Sequence, residues 1–194
     1  MQEAGTIEIQ GSNPICISFA SQVDPKTAPA LLAVAGNAVN AGHDEIHLLL
    51  STPGGNVGEG IAVYNFLKAL PVPVVTYNTG KVDSIGNVIY QAGTRRLCAT
   101  TSSFMFHGVG FAVEKAHFEM KQVRERLEMI KNDQAMISDI MVRHTDLSAD
   151  DVENLFLEMA FLSAQEALNR RITDEIRDIR LPNGLPVQQL VFQG

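Results

Sequence analysis

The sequence predicts an α/β fold organised around a mostly parallel sheet, and three observations point there. Continuous apolar runs too short for helices recur along the chain, the mark of strands covered on both faces. Segments with apolar residues at helical spacing separate these runs, and parallel strands need such crossovers to join them. The 194 residues are 45% hydrophobic and 19% charged, so a chain of this length can bury roughly 70% of its unfolded surface and fold as one domain without staples.

Thr6 to Gln10 alternates like a short strand, Gly11-Ser12-Asn13-Pro14 reads as a turn, and Ile15 to Phe19 is extended again, so a hairpin or a paired edge is expected. Asp24-Pro25-Lys26-Thr27 opens a helix over Ala28 to Asn40 that Gly42 ends. Ile46 to Leu50 reads as a buried strand. Ile61, Val63, Tyr64, Leu67 and Leu70 mark a helix, and Val72 to Tyr77 a second buried strand. Gly80 to Gly86 is expected to be a turn, Val88 to Ala92 a helix, and Arg96 to Ala99 and Phe104 to His107 two short strands. From His117 to His144 a charged helix carries Met120, Val123, Leu127, Ile130, Ile137 and Met141 at steps of three and four. One apolar stripe suits a helix that covers its own domain. The methionines at 120, 129, 136 and 141 lie on more than one face, which favours a second packing surface and assembly. Leu147 to Asp151 starts a further helix, Ser163-Ala164-Gln165-Glu166 has capping-box spacing, and Ile176 to Ile179 is expected to be a last strand. Residues 1–180 are expected to form a single domain with the long helix at about 117–144, and 181–194 a peripheral tail.

Lys plus Arg total 15 against 22 Asp plus Glu, a net charge of -7. That argues against nucleic acid and anionic membranes as partners. Met1 to Gly11 lacks a basic patch followed by an apolar core, and no stretch reaches roughly 18 uninterrupted apolar residues. A soluble, cytoplasmic protein is expected. The two cysteines, Cys16 and Cys98, sit inside apolar runs and supply neither a disulfide framework nor a zinc site. Neither a metal nor a cofactor is expected.

In open α/β sheets reactive groups collect beyond the carboxyl ends of parallel strands, and three features occupy such ends. Pro53-Gly54-Gly55 follows the strand ending at Leu50; it is an ordinary turn or a pair of outward amides for an oxyanion. Ser84 lies in Gly80-Lys81-Val82-Asp83-Ser84-Ile85-Gly86, either as a helix cap or as a hydroxyl at a helix start. His107 follows Phe104-Met105-Phe106 where a buried strand emerges, either as a hydrogen-bonded structural residue or as a base. Serine with histidine is the minimum for nucleophilic catalysis, the imidazole taking the hydroxyl proton and returning it to the leaving group.

Ser51-Thr52-Pro53-Gly54-Gly55, then Gly80 through Ser84-Ile85-Gly86, then Met105-Phe106-His107, then Phe161-Leu162-Ser163-Ala164-Gln165-Glu166-Ala167 resemble, in order and approximate spacing, the Clp protease proteolytic subunit family. The match runs from about Ile46 to Ile179. The resemblance implies Ser84 as nucleophile, His107 as general base and acid, and the amides of Gly55 and Ile85 as oxyanion hole. It also implies a crotonase-like spiral of ββα units with a protruding helical handle at about His117 to His144. Peptide or unfolded-protein substrates, a homo-oligomeric ring (heptameric and stacked in that family) and a separate ATP-driven unfoldase follow from the same resemblance.

Two departures bear on activity. The family carries its catalytic aspartate just before the Phe-Leu-Ser-Ala stretch, where this chain has Met159, and a thioether cannot orient an imidazole. Glu158 is a candidate third acid if a local bulge turns it inward. Asp83 is also unusual for the family; it caps the following helix or sets a charge against the oxyanion. Losing the acid of a Ser-His-Asp triad costs roughly 10⁴ in turnover, so weak or conditional activity is expected. Met1 to Gln22 also departs from the axial-gate segment and apolar first strand of the family. Three functions follow: a Clp-like serine peptidase acting through an acyl-enzyme on Ser84, a ring subunit or scaffold without turnover, and an acyl-CoA enzyme of the crotonase type.

Overall fold

The structure, a computed structural model, describes residues 5–110 and 117–192. Strands β1 (Gly5–Thr6) and β2 (Pro14–Ala20) precede helix α1 (Thr27–Asn40). Then come β3 (Glu45–Thr52), α2 (Val57–Ala69), β4 (Val74–Asp83), α3 (Gly86–Tyr90), β5 (Arg95–Cys98) and β6 (Ser103–Met105). Helices α4 (Met120–His144) and α5 (Ala149–Glu158) lead to β7 (Phe161–Ser163), α6 (Ala164–Asn169), β8 (Glu175–Ile176), β9 (Ile179–Arg180) and β10 (Val187–Leu190).

The main sheet runs β10-β2-β3-β4-β5-β8, with β6 joined to β4 and β7 to β6. All its pairs are parallel except β6 with β7. This is the α/β architecture with a mostly parallel sheet that the apolar runs predict. One face packs Ile17, Phe19, Leu48, Leu50, Val82 and Phe104 against Leu31, Val63, Leu67, Ile89, Met141 and Leu155 from the helices. The other face carries a smaller cluster of Ile7, Val75, Tyr77 and Leu97, which Ile9, Leu49 and Ile179 pack against.

The helix signals act locally. Asp24 Oδ1 accepts the amides of Lys26 and Thr27 at 2.8 Å each, and so opens α1. Gly42, at φ 87°, closes it with its amide on the Val39 carbonyl. The Ser163–Glu166 capping box is present and starts α6.

Several expectations change. Of the hairpin or paired edge expected at the N-terminus, the hairpin does not form: β1 pairs with β9, and β2 lies between β3 and β10. The turn-like residues between β1 and β2 instead wrap two carboxylates. Glu45 Oε2 accepts the amides of Gln10 and Gly11, and Asp44 those of Ser12 and Asn13. Backbone donors that give up water need other acceptors, and here they find them on distant side chains. Second, the stretch expected to be a turn from Gly80 is strand as far as Asp83. After Asn78, β4 parts from β5 and takes β6 as its neighbour, pairing Val82 with Phe104. Third, the segment beyond 181, expected to be peripheral, supplies edge strand β10, and the last strand expected over 176–179 is split between β8 and β9. The long helix begins at Met120 rather than His117.

Candidate active site

Three chain segments leave the carboxyl ends of β3, β4 and β6 together, and the site is assembled from them. The first is the glycine loop. Gly54 and Gly55 adopt φ of 82° and 148°. A Cβ on Gly55 would lie 2.1 Å from the Val23 carbonyl oxygen, and one on Gly54 would lie 2.6 Å from Ser84 Cβ, so neither position admits a side chain without a shift. The loop is pinned by Val23 N–H on the Gly54 carbonyl and Asn56 N–H on the Val23 carbonyl, both 2.8 Å. These bonds leave the Gly55 amide without an acceptor among the described residues.

The second is the turn from β4 into α3. Ser84 sits on it with φ 56°, a left-handed backbone that non-glycine residues hold only when their surroundings enforce it. The enforcement is visible. Ser84 N–H donates to the Met105 carbonyl at 2.8 Å, and the Ser84 carbonyl accepts from Asn87 N–H at 3.0 Å and Asn87 Nδ2 at 3.1 Å. Asn87 Nδ2 also donates to the Met105 carbonyl at 2.9 Å, which ties the turn to the strand that carries His107. A serine on a sharp strand-to-helix turn exposes its hydroxyl at the top of a sheet. Helix α3 has no side-chain cap, so neither Ser84 nor Asp83 serves as one. The side chain of Ile85 is buried under Gly60 of α2, while its amide, like that of Gly55, has no acceptor among the described residues.

The third is the continuation of β6. Phe106 N–H donates to the Ala160 carbonyl and Gly108 N–H to the Phe156 carbonyl. His107 lies between them, and its Nδ1 is 2.8 Å from the Gly108 carbonyl oxygen. A carbonyl only accepts, so Nδ1 carries the proton and Nε2 the lone pair.

Ser84, His107 and Gly55 line one cavity of about 80 Å³, together with Val57, Phe106, Ile137 and Phe156. The structure therefore brings the sequence-predicted serine, histidine and glycine together. It does not bring Glu158 to them. Glu158 ends α5 and lines a separate depression with Asp151 and Arg170. The reason is local: pairing at Phe156 and Ala160 leaves Leu157, Glu158 and Met159 as an outward excursion. Met159 there is left-handed at φ 50° and 59% exposed. Burial raises the Asp83 carboxyl above its ordinary range, while the charges of Lys81 and His107 pull the other way. Sequence reasoning missed the Gly108 carbonyl and the Asn87 bridge; the first is a backbone group without a sequence signal, and the second is an asparagine inside an apolar helix. Among the described residues no cluster of His, Cys, Asp and Glu is arranged to hold a metal ion, and no helix is long and apolar enough to cross a membrane.

These features define an α/β protein with a serine and a histidine facing one cavity at its carboxyl strand ends. The profile of the Clp protease family matches residues 13–180. A curated relative, the ATP-dependent Clp protease proteolytic subunit of Deinococcus radiodurans, is 30% identical over 138 residues, which cover 69% of this chain and 65% of the relative's length. The chain belongs to the Clp protease family.

Proposed function

We propose that the chain is a Clp-type serine endopeptidase in which Ser84 is the nucleophile, His107 the general base and acid, and the Gly55 and Ile85 amides the oxyanion hole. The single observation that carries this reading is the cavity shared by Ser84, His107 and Gly55. With Nδ1–H held by the Gly108 carbonyl, Nε2 is the nitrogen free to take the hydroxyl proton as Ser84 attacks a scissile carbonyl. The two amides stabilise the oxyanion, the imidazolium returns its proton to the leaving amine, and water releases the acyl group by the same route. In the ground state no hydrogen bond joins the Ser84 hydroxyl to the imidazole, as is common before substrate tightens a site.

A serine-directed fluorophosphonate followed by mass spectrometry of the labelled peptide tests this reading. Labelling at Ser84 that disappears in His107→Ala supports it; a folded, assembled sample that takes no label refutes it. That second result would favour a ring subunit without turnover, the reading that Met159 in place of the family acid recommends. Binding of a coenzyme A thioester would favour the acyl-CoA reading.

The same proposal includes a homo-oligomeric ring that takes unfolded polypeptide from an ATP-driven partner, in keeping with the relative's name. Helix α4 supports assembly: Ile137, Ile140 and Met141 are buried, while Met120, Val123, Leu127 and Met129 stay exposed. Sedimentation should show a large oligomer, and a monomer at micromolar concentration would remove the ring.

A further inference from the structure

We propose that Asp83 is the acid that supports His107 in this chain, a positioning residue standing in for the carboxylate that the family carries at the place of Met159. The inference rests on the peptidase reading. It begins with register. Strands β4 and β6 are parallel, with Val82 beside Phe104 and Asp83 beside Met105. Val82, Phe104 and Phe106 are buried on the core side, while Asp83, Met105 and His107 are half-buried. The alternation therefore puts Asp83 and His107 on one face, offset by a single side-chain step.

The plain roles for Asp83 are unfilled. It does not cap α3, and no hydrogen bond to its carboxylate is present among the described residues. A half-buried carboxylate without a hydrogen bond is costly unless a positive charge balances it. Among the described residues Lys81, two residues earlier on the same strand face, supplies a positive charge at rest, and His107 supplies one once its imidazole is protonated. Nor does Asp83 line the cavity that holds Ser84, so its charge does not occupy the place of the substrate oxyanion.

The chemistry balances without a second proton transfer. As Ser84 attacks, its hydroxyl proton moves to Nε2 of His107. The Nδ1 proton stays on Nδ1, donated to the Gly108 carbonyl, and the positive charge on the ring is favoured through space by the Asp83 carboxylate. No proton passes to Asp83, and the imidazolium gives its proton to the leaving amine as before.

The test compares the full-length chain with Asp83→Asn, which keeps the shape, and Asp83→Glu, which keeps the charge. Two readouts are taken: the pH profile of fluorophosphonate labelling at Ser84, and the pH midpoint of hydrogen exchange at Cε1 of His107, followed by mass spectrometry. Loss of the charge disfavours the imidazolium. Asp83→Asn should therefore move the exchange midpoint and the acid limb of labelling to lower pH, and slow plateau labelling by roughly tenfold, the equivalent of about one pH unit. Asp83→Glu should retain most of the wild-type profile, and melting temperatures close to wild type would show that neither change acts through unfolding. An unchanged midpoint in Asp83→Asn overturns the inference, as does faster labelling, which would make Asp83 an obstacle to the oxyanion. The peptidase reading fails separately: a wild-type chain that takes no label, yet whose exchange midpoint still moves in Asp83→Asn, would retain the charge coupling and lose the enzyme.

Discussion

Ser84 and Met159 are both non-glycine residues in left-handed backbone, at φ 56° and 50°, and the proposed function makes the first the nucleophile and puts the second at the place of the family's acid. Their surroundings differ. Ser84 is fastened through its own amide, its carbonyl, the Asn87 side chain and the abutting Gly54. Met159 is the C-cap of α5, joined by its amide to the Leu155 carbonyl, with its side chain mostly in water. Backbone strain costs on the order of 1–3 kcal/mol. At position 84 the neighbouring structure enforces it and aims a hydroxyl. At position 159 it merely ends a helix, a place where glycine is the commoner choice. Equal dihedral angles thus carry unequal meaning, and the contacts decide which.

The comparison is sharpest at the nucleophile. Ser84→Ala should abolish labelling and lower peptide hydrolysis by about 10² or more, the part of a complete triad's roughly 10⁶ that remains once the family acid is absent, with the melting temperature little changed; persistent hydrolysis at wild-type rate would move the nucleophile elsewhere. Gly54→Ala attacks the fastening instead. Its Cβ would meet Ser84 Cβ at 2.6 Å and the Asp83 carbonyl oxygen at 2.7 Å, in a φ of 82° that alanine resists. Urea unfolding should show a loss of more than about 1 kcal/mol, together with slower Ser84 labelling. A stability equal to wild type would mean that the turn is less constrained than its contacts imply.

On the other side, Met159→Asp restores the family acid in a backbone region that aspartate tolerates better than methionine. It should speed Ser84 labelling by about tenfold or more, against the roughly 10⁴ that a triad acid is worth. No gain would show that the outward excursion at 157–159 keeps the carboxylate away from His107. The smallest effect is expected for Met159→Gly, which relieves about 1–2 kcal/mol of left-handed strain but adds about 0.5–1 kcal/mol of freedom to the unfolded chain: a net stabilisation of under about 1 kcal/mol, read from denaturant midpoints, with labelling unchanged.

Much of this was legible because the signals are local. Ile46 to Leu50 and Val72 to Tyr77 announce strands covered on both faces, the second of which begins at Val74, and Asp24, Gly42 and the Ser163–Glu166 pair announce helix ends. What escaped depends on distant partners. Gly11-Ser12-Asn13-Pro14 has turn composition, yet its amides are set by Asp44 and Glu45. Gly80, Lys81 and Asp83 discourage a strand reading, and only pairing with Ser103 to Met105 makes them one. Val187 to Leu190 is half glutamine and shows no apolar run, but β2 offers it a ladder. At the site, the serine, histidine and glycines follow from residue type and spacing. The proton on His107 Nδ1 does not, because its acceptor is a main-chain oxygen.

The placement of β10 reaches beyond the resting molecule, to the order in which the chain can be completed. It joins β2, Val187 beside Cys16, and β9 likewise returns to β1, Ile179 beside Gly5. Contacts so remote in sequence are the slow ones to form. A nascent chain must therefore hold one ladder of β2 open until residues 187–190 have been made, an unprotected edge of the kind that invites aggregation or chaperone capture.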